Sequence, residues 1–260
     1  SQDADLVLAA NGINSWIRDK FSSHFKPTFD WRPNKFVWLG STRPLEAFTF
    51  DFRENEAGIW NLHAYQYNQE MSTWIVETKE ETWQNAGLAN ATEDDTVRYV
   101  SELYNDLLDK HPVITNRSIW RNFPMIRCET WVMDNVVLVG DCAHTAHFSI
   151  GSGTKLAMED AIALFESCSS EPNPINALRI YDENRRDEVE RLQHAADVSL
   201  SWFEQVDRYW QMDPVQFTFS LMSRSKAITY DNLRIRDKDF VDGVDRDFAI
   251  KAAEMYNFEK

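Results

Sequence analysis

The sequence predicts a mixed α/β (α+β) fold, in which an antiparallel β-sheet is inserted into a strand-and-helix domain and further helices follow. An apolar β-branched run over 136–139 ends at Gly140-Asp141, and a loop of small residues then opens a periodic helix. From Pro174 to Trp210 the pattern is helical and densely charged. Alternating, aromatic-rich segments typical of antiparallel strands with one buried face lie at 47–52, 58–67 and 72–78.

The remaining elements follow in chain order. The first thirty residues predict a short strand and a turn at Asn11-Gly12. The residues from Thr92 to Asp95 predict a capped helix N-terminus, and apolar residues at helical spacing continue from there to Leu108. The chain then returns through 114–131 to the strand before Gly140, so the first domain is discontinuous. The polar residues from Tyr230 on resemble a linker.

Composition excludes several classes of protein. With 260 residues, 43% of them hydrophobic, the chain can bury a substantial core. A net charge of −15 argues against nonspecific nucleic-acid binding. The apolar runs are too short for a membrane span and no signal peptide opens the chain, so we expect a cytoplasmic protein. The chain has three cysteines and no C-x-x-C motif, which argues against a disulfide framework or a metal site.

The strand, loop and helix around Gly140-Asp141 place an acid and several backbone N–H groups at a helix N-terminus. Such a site suits a polyol together with a phosphate or a flavin carbonyl. The segment closely resembles the Gly-Asp motif of the FAD-dependent aromatic hydroxylases, the single-component flavoprotein monooxygenases. The resemblance implies that Gly140 and Asp141 meet the ribityl chain of FAD. It places the pyrimidine end of the flavin at Gly151, Ser152, Gly153 and Thr154.

A second motif of this family lies at the start of the chain. The run DLVLAANGINSWIR over 5–18 looks like the family's D-L-V-V-G-A-D-G-x-x-S-x-V-R, which implies cofactor binding by Asn11 and Gly12. Asn11 replaces the customary Asp, which puts the charge at the pyrophosphate in doubt. None of the eight glycines forms Gly-x-Gly-x-x-Gly, the fingerprint of the ADP half of FAD. We therefore expect an N-terminal FAD-binding segment, or a separate subunit, to be missing, and this chain alone not to hold FAD stoichiometrically.

The resemblance implies four parts: 1–30 in a partial, Rossmann-like FAD-binding domain, 31–125 as the substrate-binding β-sheet domain, 126–170 again in the FAD-binding domain, and 171–260 as a C-terminal helical region. The string His-Phe-Ser-Ile-Gly over 147–151 is similar to the branch with the salicylyl-CoA 5-hydroxylases, the 2-aminobenzoyl-CoA monooxygenases and the indole hydroxylases of violacein assembly. Further strings at 72–77 and 217–225 resemble the acyl-CoA members of that branch.

The implied reaction inserts one oxygen atom from O₂ into an activated aromatic ring. NAD(P)H reduces the FAD, and a flavin C4a-hydroperoxide then forms with O₂. The distal hydroxyl passes to the aromatic ring, which the resemblance implies is carried by an aminobenzoyl- or salicylyl-CoA thioester. A local basic patch would have to hold the CoA phosphates. The candidate residues for that patch are Arg32, Lys35, Arg43, Arg224, Lys226, Arg234 and Arg236.

His147 is the candidate catalytic side chain, because it replaces a Pro that lies beside the flavin in relatives, although a structural role is an equal alternative. Phe148 and Ser149 are expected to contact the substrate. His144 is read as a structural hydrogen-bonding group. Glu159 and Asp160 are read as helix-surface or domain-packing charges without a catalytic role.

Other functions stay open at this point. One alternative is an FAD-linked reductase or dehydrogenase on the same fold, which would release no oxygenated product. Another is a non-catalytic fragment, or a subunit that needs an N-terminal partner. Within the hydroxylases, an indole or a free aromatic acid is the alternative substrate. The mass of the intact gene product and its visible absorption spectrum discriminate among these functions.

Overall fold

The computed structural model describes residues 4–225 and 228–258, the last four of them by their backbone alone. The strands are β1 (Val7–Ala9), β2 (Pro27–Ser41), β3 (Thr49–Asn55), β4 (Gly58–Gln66), β5 (Ser72–Thr78), β6 (Val113–Ile114), β7 (Arg121–Cys128), β8 (Val132–Met133) and β9 (Val136–Leu138). The helices are α1 (Trp16–Lys20), α2 (Ser22–Phe25), α3 (Glu80–Asn85), α4 (Glu93–Leu103), α5 (Asn105–Leu108), α6 (Gly153–Ser170), α7 (Pro174–Glu204), α8 (Pro214–Ser223), α9 (Tyr230–Arg236) and α10 (Lys238–Phe258).

The chain forms two compact units. Residues 1–28 and 126–260 make the first unit, and residues 29–125 make the second. Both units combine helices with a β-sheet, so the predicted mixed fold class is confirmed. The further division of the first unit into an FAD-binding part and a C-terminal helical region stays a prediction.

The sheet of the first unit is built around β9. In the described residues its strand order is β1-β9-β8, with β1 parallel to β9 and β8 antiparallel to it. Val137 and Leu138 of the β-branched run are fully buried in this sheet. The strand therefore delivers the chain from the core directly to Gly140.

Two long helices cover this core. Asn173 caps α7 by accepting hydrogen bonds from the N–H groups of Ile175 and Asn176, and Pro174 occupies the first helical position. α6 packs along α7. The apolar residues that the two helices add to the core include Leu156, Leu164, Leu178, Tyr181, Val189 and Ala196.

Tyr230–Arg236 and Lys238–Phe258 form α9 and α10, so this part of the chain is helical and is not the linker that its polar composition suggested. Thr229 caps α9 through the N–H of Asn232, at 3.2 Å. Leu233, Val241 and Val244 are buried. These apolar residues are few and widely spaced among charged ones. The amino-acid composition of the segment is therefore polar, although the helices bury some of their apolar side chains.

The second unit contains an antiparallel sheet with the strand order β3-β4-β5-β2-β6, and β7 also pairs with β2. β3, β4 and β5 lie where the three alternating segments predict strands. One face of the sheet is apolar and packs against residues of α4 and α5. This core includes Val37, Leu39, Trp60, Leu62, Ala64, Trp74, Val76, Val100, Tyr104 and Leu108.

The N-terminus of α4 forms the predicted cap. Thr92 Oγ1 accepts the N–H of Asp95 at 3.1 Å, and the Asp95 carboxylate accepts the N–H of Thr92 at 3.0 Å. The apolar stripe that the sequence extends to Leu108 belongs to two helices rather than one. The backbone of Tyr104, at φ −114° and ψ 25°, separates α4 from α5.

Within residues 4–225 and 228–258, no helix is long and apolar enough to cross a membrane. The cytoplasmic location expected from the sequence stays a prediction.

Replacing Thr92 with Ala removes the reciprocal cap of α4. We expect this change to lower the free energy of unfolding by about 1 kcal/mol, because an N–H group of the first helical turn loses its acceptor. Urea unfolding followed by circular dichroism measures the change. Thr92→Ser keeps the hydroxyl and should retain most of the stability; equal losses in both variants would show that the hydroxyl is not what matters.

Candidate active site at the Gly140-Asp141 loop

The loop after β9 begins with a glycine that no other residue can replace without strain. Gly140 has φ +62°, in the left-handed region. A Cβ on this residue would lie 3.1 Å from the Cβ of Ala157 in α6. The glycine therefore lets the loop approach α6 closely enough for the two to share hydrogen bonds.

The side chain of Asp160, on α6, connects the loop to both long helices. Its Oδ2 accepts the N–H of Gly140 at 2.9 Å and faces Nε2 of His144 at 2.8 Å. Its Oδ1 accepts Nε of Arg185, on α7, at 2.8 Å. Asp160 is fully buried and Arg185 is 3% exposed, so this is an interior network of charges.

The Asp160 carboxyl stays ionised in this network. Burial raises the pKa of Asp160, but the hydrogen bonds and charges of His144 and Arg185 outweigh it, and the pKa lies below the usual 3.8. An ionised carboxylate only accepts, so Nε2 of His144 carries the hydrogen. His144 is thus a buried hydrogen-bonding group, as expected from the sequence.

The sequence left two roles open for the two acids of α6, helix-surface charges or domain-packing charges. Glu159 is partly exposed and pairs with Lys155 and Arg185, whereas Asp160 is a central buried residue rather than a helix-surface charge. Arg185, one of the charges of the helical segment that begins at Pro174, is buried as well. The signal that could have identified it is its spacing. It stands four residues after Tyr181 and four before Val189, inside the apolar stripe of α7.

A second set of contacts attaches α7 to the same loop. Nε2 of Gln193 donates to the carbonyl oxygens of Ile126 and Thr145, at 2.9 and 2.8 Å. The hydroxyl of Thr145 accepts the N–H of Ile126 at 2.7 Å. Further along α7, Asp197 pairs with Arg127 at 2.6 Å. The helix therefore holds the loop backbone at Thr145 and the neighbouring strand β7 at Ile126 and Arg127.

Asp141, which follows Gly140, differs from Asp160 in its exposure and in its hydrogen bonds. Its side chain is exposed, and its carboxylate accepts no hydrogen bond from the residues that the structure describes. Partial desolvation raises the pKa of Asp141, and the charge of Asp160 adds to the effect while His144 opposes it. Asp141 is thus a rigidly placed acceptor available to a hydroxyl-bearing ligand.

The loop then leads to the N-terminus of α6. Nδ1 of His147 accepts the N–H of Ser149 at 3.3 Å and caps the short turn Phe148–Ile150. Gly151 has φ +63°, and a Cβ there would meet nothing within 4 Å. Ser152 precedes the helix without a side-chain hydrogen bond to its first turn. The first N–H groups of α6, from Gly153 and Thr154 on, therefore remain for a carbonyl or an anion.

The two candidate substrate residues, Phe148 and Ser149, are fixed by contacts with neighbouring residues. Ser149 is 4% exposed, its hydroxyl has no hydrogen-bond partner among the described residues, and its carbonyl accepts a hydrogen bond from Arg224 at 2.8 Å. The ring centroids of His147 and Phe148 lie 4.0 Å apart. Desolvation lowers the pKa of Arg224 to about 10.

The N-terminal motif packs onto the same loop. Asn11 is exposed, and its Oδ1 accepts the hydroxyl of Ser15 at 2.7 Å. Sγ of Cys142 lies 2.8 Å from the Ser15 hydroxyl, and the buried guanidinium of Arg18 donates to the Cys142 carbonyl at 3.4 Å. Gly12 has φ +75°. The structure thus brings the two sequence motifs together.

A cavity of about 420 Å³ lies next to His144 and Gln193. It is lined by Arg127, Cys128, Trp131, His144, Arg186, Glu190, Gln193, His194 and Asp197. None of the predicted cofactor or substrate residues lines it, so it does not coincide with the candidate site.

The basic residues considered for CoA phosphates are mostly engaged in the protein itself. Lys35 donates to Asn122, Arg43 to the carbonyl of Leu107, and Arg224 to Ser199. Arg32 pairs with Asp30, and Arg234 with Asp242. Lys226 lies outside the described residues.

The arrangement fits one end of a flavin cofactor. A carboxylate without a protein partner can bind ribityl hydroxyls, while uncapped helix N–H groups suit the carbonyl oxygens of the isoalloxazine ring. A parallel strand pair, a Gly-Asp turn and a helix N-terminus in one unit are the parts that this end of an FAD site requires.

The comparison with known families agrees with this assignment. Residues 2–196 match the family model described as FAD binding domain. The chain belongs to this FAD-binding domain family, and FAD is its cofactor. The resemblance to FAD-dependent aromatic hydroxylases that the sequence indicated is confirmed.

Three relatives carry the names of oxygenating enzymes. The chain is 40% identical to a salicyloyl-CoA 5-hydroxylase from a Streptomyces species, over 94% of the chain and 49% of the relative. It is 37% identical to a 3-hydroxy-4-methyl-anthranilyl-[aryl-carrier protein] 5-monooxygenase from Streptosporangium sibiricum, over 77% and 54%. It is 32% identical to a protodeoxyviolaceinate monooxygenase from Chromobacterium violaceum, over 87% and 61%. The chain thus spans about half of these relatives' length.

Solved structures share the fold. A probable FAD-dependent monooxygenase from Pseudomonas aeruginosa superposes with a TM-score of 0.58 at 18% identity, over 79% of this chain and 58% of that one. The tetrameric form of 2-methyl-3-hydroxypyridine-5-carboxylic acid oxygenase gives 0.56 at 17%, over 89% and 60%.

Replacing Asp160 with Asn should lower the free energy of unfolding by about 3 kcal/mol at neutral pH, because Arg185 loses the one fully buried carboxylate among its three partners. The folded-state pKa of Asp160 lies below its ordinary value, so its ionisation stabilises the fold above that value and stops doing so as the pH falls through the folded pKa. The difference from the wild type should therefore shrink below about pH 4.

Urea unfolding over a series of pH values measures this difference. Asp187→Asn, which changes an exposed acid on α7, is the matched control and should have little effect at any pH. A loss of stability in Asp160→Asn that is the same at acid and neutral pH would contradict the role of the ionised carboxylate.

Proposed function

We propose that the protein is an FAD- and NAD(P)H-dependent monooxygenase that uses O₂ to hydroxylate an aromatic ring. The proposal depends on one observation. The Asp141 carboxylate, which has no hydrogen-bond partner in the described part of the chain, and the start of α6, which lacks a side-chain cap, lie at the two ends of one loop. Relatives named as hydroxylases and monooxygenases support the reaction type. Because these relatives are longer than this chain, the activity is proposed for the intact gene product.

The cofactor-binding roles are divided between the two motifs. Asp141, beside Gly140, would accept hydrogen bonds from the ribityl hydroxyls. The backbone of Gly151 to Thr154, including Ser152 and Gly153, would donate to the pyrimidine carbonyl oxygens. Asn11 and Gly12 would lie at the pyrophosphate, where an amide, unlike a carboxylate, adds no negative charge. FAD, when bound, supplies the activation of O₂ for this reaction.

The residues before Gly151 would face the substrate. Nδ1 of His147 accepts a backbone N–H, so in the neutral ring the hydrogen lies on Nε2, which makes that atom a donor. We propose His147 as the group that donates to the reacting atoms, and Phe148 and Ser149 as substrate contacts. The buried hydroxyl of Ser149 would gain a partner in the process.

For the substrate we propose an aromatic acyl-CoA thioester, an aminobenzoyl- or salicylyl-CoA. Two of the relatives carry names with an aromatic acyl group on CoA or on an aryl-carrier protein. A third relative is named after protodeoxyviolaceinate, and it makes an indole-type or free aromatic substrate the second candidate. The ion pairs of Arg32, Arg43 and Arg234 leave each of them individually weak as a phosphate ligand.

Asp141→Asn should weaken FAD binding by about tenfold to a hundredfold, because a charge-assisted hydrogen bond to a ribityl hydroxyl becomes a neutral one or is lost. Titration of the apoprotein of the intact gene product with FAD, followed by flavin fluorescence, measures the affinity.

The fold should survive this substitution, since the side chain is exposed. Asp134→Asn is the matched control, as it changes another exposed loop acid, just before β9, and should leave FAD affinity unaltered. Unchanged affinity in Asp141→Asn would remove the carboxylate from the cofactor site.

The substrate proposal is tested by comparing anthranilate and salicylate with their CoA thioesters on the intact FAD-loaded protein. We expect the thioesters to stimulate NAD(P)H oxidation and to give hydroxylated product, with salt weakening their binding because phosphates contribute. Equal hydroxylation of the free acids at every ionic strength would overturn the CoA assignment. NAD(P)H consumption without any oxygenated product would overturn the monooxygenase itself.

A further inference from the structure

The short turn before α6, Phe148–Ile150, is only weakly held by its own hydrogen bonds. The N–H of Gly151 donates to the carbonyl of Phe148 at 2.9 Å. The N–H of Ile150 donates to the carbonyl of His147 at 3.4 Å, which is a long bond. Because the turn is a single 3₁₀ turn, its hydrogen-bond geometry is poorer than that of an α-helix. Its position therefore depends on contacts from outside the turn.

Arg224, which follows the last residue of α8, supplies such a contact. Its Nη2 donates to the carbonyl oxygen of Ser149 at 2.8 Å. Desolvation lowers the pKa of Arg224 only to about 10, so the guanidinium is charged at neutral pH. A hydrogen bond from a charged donor is roughly twice as strong as a neutral one. The bond from Arg224 is therefore stronger than either of the bonds inside the turn.

The backbone of Ser149 is held on both sides of its Cα. Its N–H donates to Nδ1 of His147 at 3.3 Å, and its carbonyl accepts the bond from Arg224. These two groups belong to the two planar peptide units that meet at the Cα, so the two bonds together fix φ and ψ of Ser149. Without Arg224, the long bond to the imidazole would have to hold the residue alone. The orientation of His147 thus depends on Arg224 through one intervening residue.

The guanidinium of Arg224 is itself fixed by two long helices. Its Nε donates to the hydroxyl of Ser199 at 3.0 Å, and its Nη1 donates to the carbonyl of Leu221 at 2.7 Å. It lies 5.0 Å from the ring centroid of Phe203. Ser199 and Phe203 are fully buried residues of α7, and Leu221 belongs to α8. A planar fork of N–H donors can serve three directions at once, which the single ammonium group of Lys cannot. Arg224 therefore connects the turn to α7 and α8.

We propose that Arg224 is a positioning residue for His147. By holding the carbonyl of Ser149, it keeps Nδ1 of His147 as the acceptor of the Ser149 N–H and leaves the hydrogen of the neutral ring on Nε2. This inference rests on the proposed function, in which Nε2 of His147 donates to the reacting atoms. Arg224 acts through Ser149, and this role differs from the phosphate ligand that the sequence suggested.

The first test determines the tautomer of His147 by NMR of the intact gene product, in which histidine nitrogen is isotope-labelled, at mildly alkaline pH. In the wild type we expect the hydrogen on Nε2 and the lone pair on Nδ1, which gives two well separated nitrogen resonances. In Arg224→Gln the two resonances should move toward each other, because the turn no longer favours one tautomer. His147→Asn lacks these signals and so assigns them.

The second test measures the coupling ratio of the intact FAD-loaded protein with 2-aminobenzoyl-CoA, which is the hydroxylated product formed per NAD(P)H consumed. Arg224→Gln should lower this ratio by about tenfold, because the donor of His147 is displaced from the reacting atoms. NAD(P)H oxidation should continue. FAD affinity should change by less than about threefold, a small effect on binding free energy, since Asp141 keeps its place in the loop.

Arg186→Gln is the matched control. The guanidinium of Arg186 also donates to a backbone carbonyl, that of Cys128 at 3.2 Å, and also lies over a buried ring, that of Trp131 at 4.9 Å. It makes no such bond to the turn, so its loss should lower stability and leave the His147 resonances and the coupling ratio as in the wild type. Arg224→Lys keeps the charge and one donor site, and we expect it to limit the loss of coupling to about threefold.

A wild-type tautomer of His147 or a wild-type coupling ratio in folded Arg224→Gln would overturn the inference and leave the proposed function intact. Equal losses in Arg186→Gln would overturn it as well, since they would follow from reduced stability alone. If Arg224→Gln does not fold, Arg224→Lys takes its place, and an unchanged ratio in that variant overturns the inference. Wild-type protein that holds FAD but hydroxylates no aromatic ring overturns the proposed function, while the NMR comparison still decides whether Arg224 orients His147.

Discussion

The buried carboxylate of Asp160 is the constraint on which the first unit depends. One side chain accepts hydrogen bonds from the backbone after β9, from His144 in the loop and from Arg185 on α7. In a medium of low dielectric constant each of these groups needs the others, because removal of one leaves a charge or a donor unsatisfied. The position of Asp141, one residue after Gly140, follows from this network, although Asp141 takes no part in it.

The parts of the structure that could be predicted from the sequence are those encoded over short distances. The strand before Gly140 is recognisable from its β-branched run, and the helix after the loop from its periodicity. The strands of the second sheet alternate clearly, and Thr92 with Asp95 marks a helix start within four residues. In each case the local pattern and the tertiary environment favour the same conformation.

The sequence could not reveal contacts that depend on how distant faces meet. Asp160 and Arg185 are ordinary helix charges until α6 is placed along α7. The same holds for Asn61 and Glu77, since a polar residue at every second strand position reads as the solvated face of a sheet. In the folded protein Asn61 is 2% exposed and Glu77 is 1% exposed. The C-terminal segment was assigned to a helical region, yet its polar composition also suggested a linker, because the buried residues described there, Leu233, Val241 and Val244, are few among many charges.

The 31-residue helix α7 has a consequence for the dynamics of the loop. With a rise of about 1.5 Å per residue it is about 46 Å long, and along its length it holds α6 through Arg185, the loop through Gln193 and strand β7 through Asp197. The loop cannot open at one of these attachments without straining the next. Backbone amides of the loop and of the middle of α7 should therefore exchange with deuterium as one cooperative unit, slowly for a surface loop. A cofactor entering such a loop has little conformational entropy left to remove.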